Sequence, residues 1–292
     1  MNTITHCPIC AGTEFKQFLN AVDYTVSRET FSIVSCAKCG FHFTNTIPSI
    51  DKIGDYYKSE SYVSHSSTNK GLINKLYQRV RKHTLKQKLA LVSRLANGRS
   101  ILDIGAGTGH FLNVCQQAGW NALGLEPDAD ARAFAKKEFG VELKSTDELH
   151  DLAPNSKDVI TMWHVLEHVY ELRKDVEQIV NILKEDGVLV VAVPNRNSFD
   201  AKRYREFWAA YDLPIHLYHF VPNDIKTLFG QFQMEVTEIL PMKFDAYYVS
   251  MLSEKYKGGN IIKAFFNGWR SNLKAKTGSY SSQFYILKKK RN

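Results

Sequence analysis

Between positions 71 and 96 apolar residues recur at helical spacing: Leu72, Ile73, Leu76, Tyr77, Val80, Leu85, Leu89, Val92 and Leu95. This pattern predicts one face of a long amphipathic helix, with Gly98 as its C-cap. From position 100 the pattern changes. Short apolar runs at 101–104, 121–125, 141–143, 158–162 and 187–193 predict strands, and the stretches 110–118, 128–139 and 172–183 between them predict helices. The run 187–193 is the most β-branched of the chain and reads as a strand buried on both faces. Strands alternating with helices predict an α/β fold, a doubly wound Rossmann-like sheet with right-handed crossovers. Ligands of such sheets bind beyond the carboxyl ends of the strands, so the first strand-to-helix turn is the place for a cofactor.

The region before position 70 is patterned differently. Residues 30–34 alternate like a ribbon strand. Residues 45–69 are rich in Ser, Tyr and Lys and read as a linker or cover segment, with Tyr56, Tyr57 and Tyr62 as aromatic punctuation. The longest uninterrupted apolar run, 188–193, is far short of the roughly 20 residues that cross a bilayer, so no membrane is expected.

Composition narrows the class. With 44% hydrophobic residues in 292, the chain can bury a substantial core, which excludes disorder and coiled coil. The net charge of +8 is unevenly spread. Residues 70–99 hold nine basic and no acidic residues, and 241–292 hold eleven basic and two acidic, which leaves the middle acidic. No uniformly basic nucleic-acid face is indicated. The first residues carry neither a basic n-region nor an apolar h-region, so the expected compartment is the cytoplasm.

The cysteines are informative through their spacing. Cys7-Pro8-Ile9-Cys10 and Cys36-Ala37-Lys38-Cys39 are two C-x2-C knuckles, each with a glycine close behind, Gly12 and Gly40. Two such knuckles can complete a tetrahedral thiolate shell suited to structural zinc, with no open coordination position. The expected metal ligands are Cys7, Cys10, Cys36 and Cys39. Cys115 reads as a small buried hydrophobe.

The turn after the first predicted strand reads Asp103-Ile104-Gly105-Ala106-Gly107-Thr108-Gly109-His110. A dinucleotide fingerprint would need its third glycine at 110, where this chain has His. Here that glycine comes one residue early, an acid stands two before the first glycine, and Glu126-Pro127 closes the second strand.

These residues, with Asp158-Val159-Ile160-Thr161-Met162-Trp163-His164-Val165-Leu166-Glu167-His168 and Pro194-Asn195, resemble class I S-adenosylmethionine (SAM)-dependent methyltransferases over about 71–240. The resemblance implies a seven-stranded sheet ending in an antiparallel pair, for which 233–239 and 282–287 are the candidates. It also implies SAM as cofactor. Asp103, Gly105, Ala106, Gly107 and Gly109 would line its methionine and ribose, and Glu126 with Pro127 would meet the ribose hydroxyls. Thr146 and Asp147 would lie near adenine, and Trp163 and His164 would border the methyl. The expected domains are a four-cysteine zinc-ribbon-like module at 1–46, a linker at 47–70, and a methyltransferase domain at 71–292 with insertions at about 195–220 and 241–280.

The H-x-x-E-H run places His164 and His168 on one face if the stretch is helical, and His216 and His219 can close over it. The catalytic candidates are therefore His168, His216, His164, His219 and Glu167. In one reading a histidine is the general base for a hydroxyl acceptor and Glu167 orients it. In another, Glu167, His168 and a later histidine ligate a divalent metal, a reading for which the resemblance gives a precedent, since Glu-His after strand four is similar to ubiquinone-biosynthesis O-methyltransferases and to small-RNA 2′-O-methyltransferases. The latter use E-x-x-E-H, and His164 stands where their first Glu would be. In a third reading the pair only orients the local turn.

The expected reaction is methyl transfer to a small-molecule acceptor, a hydroxyl first. An N-terminal four-cysteine module also resembles C-methyltransferases of nucleotide-linked sugars, but those carry a further large C-terminal domain for which this length leaves no room. An RNA methyltransferase is the other alternative, disfavoured by the nearly neutral four-cysteine module.

Overall fold

The computed structural model describes residues 1–57, 72–275 and 278–291. Tyr62 and most of the expected linker lie outside the described residues, as do the side chains of the first four apolar positions of the predicted helix.

The chain opens with three antiparallel strands, β1 (Phe15–Val22), β2 (Thr30–Cys36) and β3 (His42–Thr44). Helix α1 (Leu72–Leu95) follows the predicted amphipathic run. The α/β region then unfolds in the expected order: β4 (Ser100–Ile104), α2 (His110–Gln117), β5 (Asn121–Leu125), α3 (Ala129–Phe139), β6 (Leu143–Lys144), β7 (Lys157–Trp163), α4 (Leu172–Ile182) and β8 (Leu183–Pro194). The local reasons are plain in the sequence. Asp128 caps α3 by accepting from the Ala131 N–H at 2.7 Å, and Gly140 ends it in the left-handed region. Helix α4 buries Leu172, Val176, Ile179 and Ile182, one stripe at helical spacing.

After β8 come α5 (Phe199–Tyr204), the two-residue strand β9 (Tyr218–His219), α6 (Pro222–Gly230), β10 (Met234–Pro241), α7 (Asp245–Tyr256), α8 (Ile261–Lys274) and β11 (Ser282–Lys289). The main sheet has seven strands in the order β10-β11-β8-β7-β4-β5-β6. Strands β8, β7, β4, β5 and β6 are parallel, and β11 runs antiparallel to both β8 and β10, which is the pair the resemblance implied. Between β10 and β11, in the range expected as an insertion, the chain forms the α7–α8 helical hairpin.

The four-cysteine segment does not stand apart. Strand β9 joins the first three strands in a sheet ordered β1-β2-β3-β9, with Phe43 opposite Tyr218 and His42 opposite His219. Cys7, Ile9, Cys36, Phe41 and Phe43 share one buried cluster with Leu102, Ile160, Leu189 and Leu217 of the α/β region. Residues before position 46 thus share a sheet and a buried cluster with the α/β region. Among the described residues no helix is long and apolar enough to cross a membrane.

Candidate functional site

The glycine turn leaves the carboxyl end of β4 with Gly105, Gly107 and Gly109 all at positive φ, 69°, 53° and 76°. A Cβ on Gly105 would collide with Val165 Cγ2, so the turn is pressed against the stretch that follows β7. A Cβ on Gly107 would meet nothing within 4 Å, which leaves open space over the backbone where a ligand can approach. The Gly107 N–H donates to the Glu126 carboxylate at 2.7 Å and the Asp128 N–H donates to it at 3.0 Å. Burial raises the pKa of Glu126, and these two donors offset only part of that rise. Arg132 donates to the carbonyls of Glu126 and Pro127 and holds that turn in place. Thr146 and Asp147 start a short helical turn, Thr146–Asp151, directly after β6. The expected cofactor residues of β4, β5 and β6 thus share the carboxyl edge of the sheet.

Asp103 is buried within β4 and accepts from Thr161 Oγ1 at 2.6 Å. Burial pushes its pKa up to about 7, against the lowering effect of that hydrogen bond and of Lys88. Lys88, on α1, sets its Nζ 4.2 Å from the centroid of the Trp163 ring, and burial pushes its pKa down to about 8. Nothing in the sequence distinguishes Lys88 from the other basic residues of an amphipathic helix. Trp163 is packed edge-on against Phe111 and Phe284, both at 5.4 Å, so Lys88 rather than open space covers one face of the indole.

The H-x-x-E-H stretch is not one continuous helix, so the expected shared face of His164 and His168 does not form. His164 stands alone at φ 58°, and only Leu166–His168 makes a tight 3-10 turn. His164 turns its Nε2 to Asp245 Oδ2 at 3.0 Å and its Nδ1 to Glu167 Oε1 at 3.4 Å. Burial alone would lower its pKa, but the two carboxylates together hold it up at about 10. It is therefore already protonated at neutral pH and unsuited to act as a base.

His168 faces the other way. Its Nδ1 lies 3.0 Å from the Ile215 carbonyl and 2.9 Å from the Tyr57 hydroxyl. A carbonyl can only accept, so Nδ1 carries the proton and the lone pair sits on Nε2. His216 repeats the arrangement, with Nδ1 2.9 Å from the Ala210 carbonyl. The two rings meet edge to face at 4.6 Å. Burial pushes His168 down to about 4 and lowers His216, so both are neutral. Beside them lies Glu167, fully buried, with its Oε1 paired to the His164 Nδ1 at 3.4 Å and no closer hydrogen bond to either oxygen among the described residues. One ligand atom each from Glu167, His168 and His216 lie within 4.8 Å of one another. Asp212 Oδ2 stands 4.0 Å from His216 Nε2.

His219 does not join this cluster. It lies on β9, and its Nε2 is 3.0 Å from Thr44 Oγ1. Its role here is to tie the first sheet to the chain. The sequence marks Tyr57 only as an aromatic residue of the cover segment, with no place in the site, and does not single out Asp245. Only the aromatic character of the cover segment pointed toward Tyr57, and nothing pointed toward Asp245.

The four cysteines meet as their spacing predicted. Cys7 and Cys39 Sγ are 3.6 Å apart, as are Cys10 and Cys36, and all four sulfurs lie within 4.8 Å of one another. A tetrahedron with Zn–S near 2.3 Å has edges of about 3.8 Å, so the donor set and its size fit the ion. Gly12 is backed against it, since a Cβ there would stand 3.2 Å from Cys36 Sγ and 3.4 Å from Cys10 Sγ.

Comparison with known proteins agrees with this geometry. The family described as a methyltransferase domain matches residues 77–239, more than half of the chain. A probable S-adenosylmethionine-dependent methyltransferase of Mycolicibacterium smegmatis is 27% identical over 199 residues, 66% of this chain and 72% of the relative. The ubiquinone biosynthesis O-methyltransferase of Cronobacter sakazakii is 32% identical over 108 residues, covering 35% of this chain and 44% of its own length. Among solved structures, a SAM-dependent methyltransferase of Thermotoga maritima aligns with a TM-score of 0.50 at 19% identity, over 75% of this chain and 96% of that one. The geranyl diphosphate C-methyltransferase of Streptomyces coelicolor, solved with Mg2+, geranyl diphosphate and S-adenosyl-L-homocysteine, aligns with a TM-score of 0.50 at 13% identity, over 70% and 80%. At these identities the structures show the fold alone. The chain belongs to the methyltransferase-domain family and is a class I SAM-dependent methyltransferase.

Proposed function

We propose that this enzyme methylates a hydroxyl oxygen of a small-molecule acceptor at the Glu167–His168–His216 cluster. SAM brings an electrophilic methyl, so the protein has to align a nucleophile with it, and alignment can supply up to about 7–11 kcal/mol. A hydroxyl also has to lose its proton. The observation that carries the reading is a fully buried carboxylate, Glu167, grouped within 4.8 Å with two histidines whose proton-bearing nitrogens are tied to carbonyls. Both Nε2 lone pairs are thereby kept free for an acceptor hydroxyl. Incubation with SAM deuterated in the methyl group and a panel of phenolic and sugar hydroxyls should give products carrying the label on oxygen. Label found only on nitrogen or carbon would overturn the assignment.

The same donor set favours a second reading. Two imidazoles and one carboxylate, with the imidazoles oriented by backbone carbonyls, form a ligand set for a divalent cation. Such an ion would hold the acceptor oxygen and lower the pKa of its hydroxyl. The two readings separate on metal content and on whether turnover depends on an added divalent cation.

On the cofactor side, we place Asp103, the glycine turn and Glu126 around SAM. Its sulfonium and ammonium charges favour an ionised Asp103. The folded pKa of Asp103 is raised from 3.8 to about 7, so its contribution to stability is fully present below the lower value and is lost as pH rises through the upper one. Cofactor binding has the opposite preference. SAM affinity should rise as pH passes about 7, with proton release, in calorimetry across buffers of different ionisation enthalpy. Asp103→Asn should flatten the profile. A flat profile in the unaltered enzyme would place Asp103 out of reach of the cofactor charge.

A further inference from the structure

Helix α8 faces the opposite way from a helix packed on a soluble core. Its buried residues are Ala264, Asn267, Gly268 and Ser271, all small or polar. They dock through hydrogen bonds and close backbone contact. Asn267 Nδ2 donates to Tyr204 Oη at 2.9 Å and to Glu254 Oε1 at 3.0 Å, and Ser271 Oγ donates to Asp200 at 2.7 Å. A Cβ on Gly268 would stand 2.9 Å from the Ala246 carbonyl oxygen. The other face holds Ile261, Ile262, Phe265, Phe266, Trp269 and Leu273, each between 46% and 66% exposed. At 100° per residue these six fill a continuous sector of about 140°. The face extends onto α7, where Tyr247 packs on Phe265 at 5.4 Å and Phe244, Tyr248 and Met251 are exposed. A soluble monomer rarely shows so large a contiguous apolar patch.

The exposed charges of the hairpin have one sign. The acids of the hairpin point inward: Asp245 contacts His164, and Glu254 is buried against Tyr204 and Asn267. Lys255, Lys257, Lys263, Arg270 and Lys274 are all exposed. On the helix circumference Lys263, Arg270 and Lys274 border the apolar sector.

We propose that α8 lies in the plane of an anionic phospholipid bilayer, with its aromatic face in the boundary between headgroups and acyl chains and its cations on the phosphates. The composition is that of an interfacial helix: a wide apolar face bearing Trp and Phe, bordered along one edge by Lys and Arg. Span length argued against a membrane and does not bear on this arrangement. Fourteen residues measure about 21 Å, too short to cross but ample to lie flat. A second copy of the chain is the poorer occupant, because a two-fold contact through this face would set the same cations against one another. The contact between Asp245 and His164 joins the hairpin to the H-x-x-E-H stretch, so the anchored helix would hold the acceptor side of the enzyme at the lipid surface. The proposal stands on α8 itself and is independent of which atom receives the methyl.

The test uses the full chain and vesicles of phosphatidylcholine with or without phosphatidylglycerol. The protein should co-sediment with the mixed vesicles, at least about tenfold more tightly than with phosphatidylcholine alone, and salt should weaken the binding. Trp269 is the one tryptophan among the described residues with a largely exposed ring, so its emission should shift to the blue on binding. Phe265→Ser with Trp269→Ser should reduce vesicle binding at least about tenfold while leaving melting temperature and SAM affinity in place, because both side chains are exposed. Lys263→Glu with Arg270→Glu should abolish the preference for anionic vesicles. Absence of binding to either vesicle, or full binding by the Phe265→Ser/Trp269→Ser variant, would overturn the proposal. So would a dimer that this variant converts to monomer without any vesicle binding.

Discussion

Replacing Cys36 by serine should lower the content of the zinc that we propose the four cysteines hold and, with it, most of the methyl-transfer rate. Binding of a structural zinc is worth about 10–16 kcal/mol in zinc-finger peptides, as much as a whole domain's stability of about 5–15 kcal/mol. Loss of one thiolate therefore removes more than a local contact. The damage should reach the acceptor site through β3. The Thr44 N–H donates to the Leu217 carbonyl at 2.9 Å, Thr44 Oγ1 donates to the His216 carbonyl at 2.7 Å, and β9 pairs with β3 directly beyond them. Thr44 thus ties His216 to the sheet in which β2, ending at Cys36, pairs with β3. Elemental analysis of the unaltered enzyme should give about one zinc, and the variant much less. Amide exchange should accelerate in β1–β3 and across 215–219, while β4, β7 and β8 keep their protection. Chelation of the unaltered enzyme should produce the same map, which keeps the test independent of how well the variant folds. A zinc-free protein with slow exchange in both segments would refute the coupling.

That coupling shows where the sequence stopped being readable. The elements between 100 and 194 were legible because each is local: alternating runs, a capping aspartate, and glycines that a turn requires. The cysteines were legible because metal chemistry restricts their spacing. Strand β9 was not, since two residues carry no periodicity and exist as a strand only because β3 lies beside them. His219 looked like a member of the His cluster for the same reason: its true partner, Thr44, is 175 residues away. His164 sat at the right spacing for a helix, but its positive φ and its contact with Asp245 are tertiary facts. Lys88 and Asp245 carry charge on elements whose polar faces look ordinary until the fold brings them to Trp163 and His164. Helix α8 is the clearest case. From the sequence this stretch is only part of the 241–280 insertion, and the packing of Asn267 and Ser271 shows that its small and polar side is the buried one.

Substitution of His168 or His216 by alanine should reduce turnover on an identified acceptor by about 10²–10⁴, the range expected on losing a positioned proton acceptor. SAM affinity should stay nearly unchanged, because both histidines sit past the glycine turn and touch none of the residues placed around the cofactor. The two losses should not add. The rings touch at 4.6 Å and share Glu167, so the double variant should resemble the worse single one. His219→Ala offers the contrast. It removes the contact with Thr44 Oγ1 from a buried sheet edge and should cost about 1–3 kcal/mol of stability. The turnover of the molecules that remain folded should fall far less than in the His168 variant. Glu167→Gln separates the two readings of the cluster. As an orienting group for a base, the neutral amide should cost part of the rate and leave metal content unchanged. As a ligand, it should lower the affinity for the divalent cation, and excess cation should restore turnover. Full turnover in both histidine variants would remove proton transfer from the reaction and leave alignment of an already nucleophilic carbon or nitrogen as the account of catalysis.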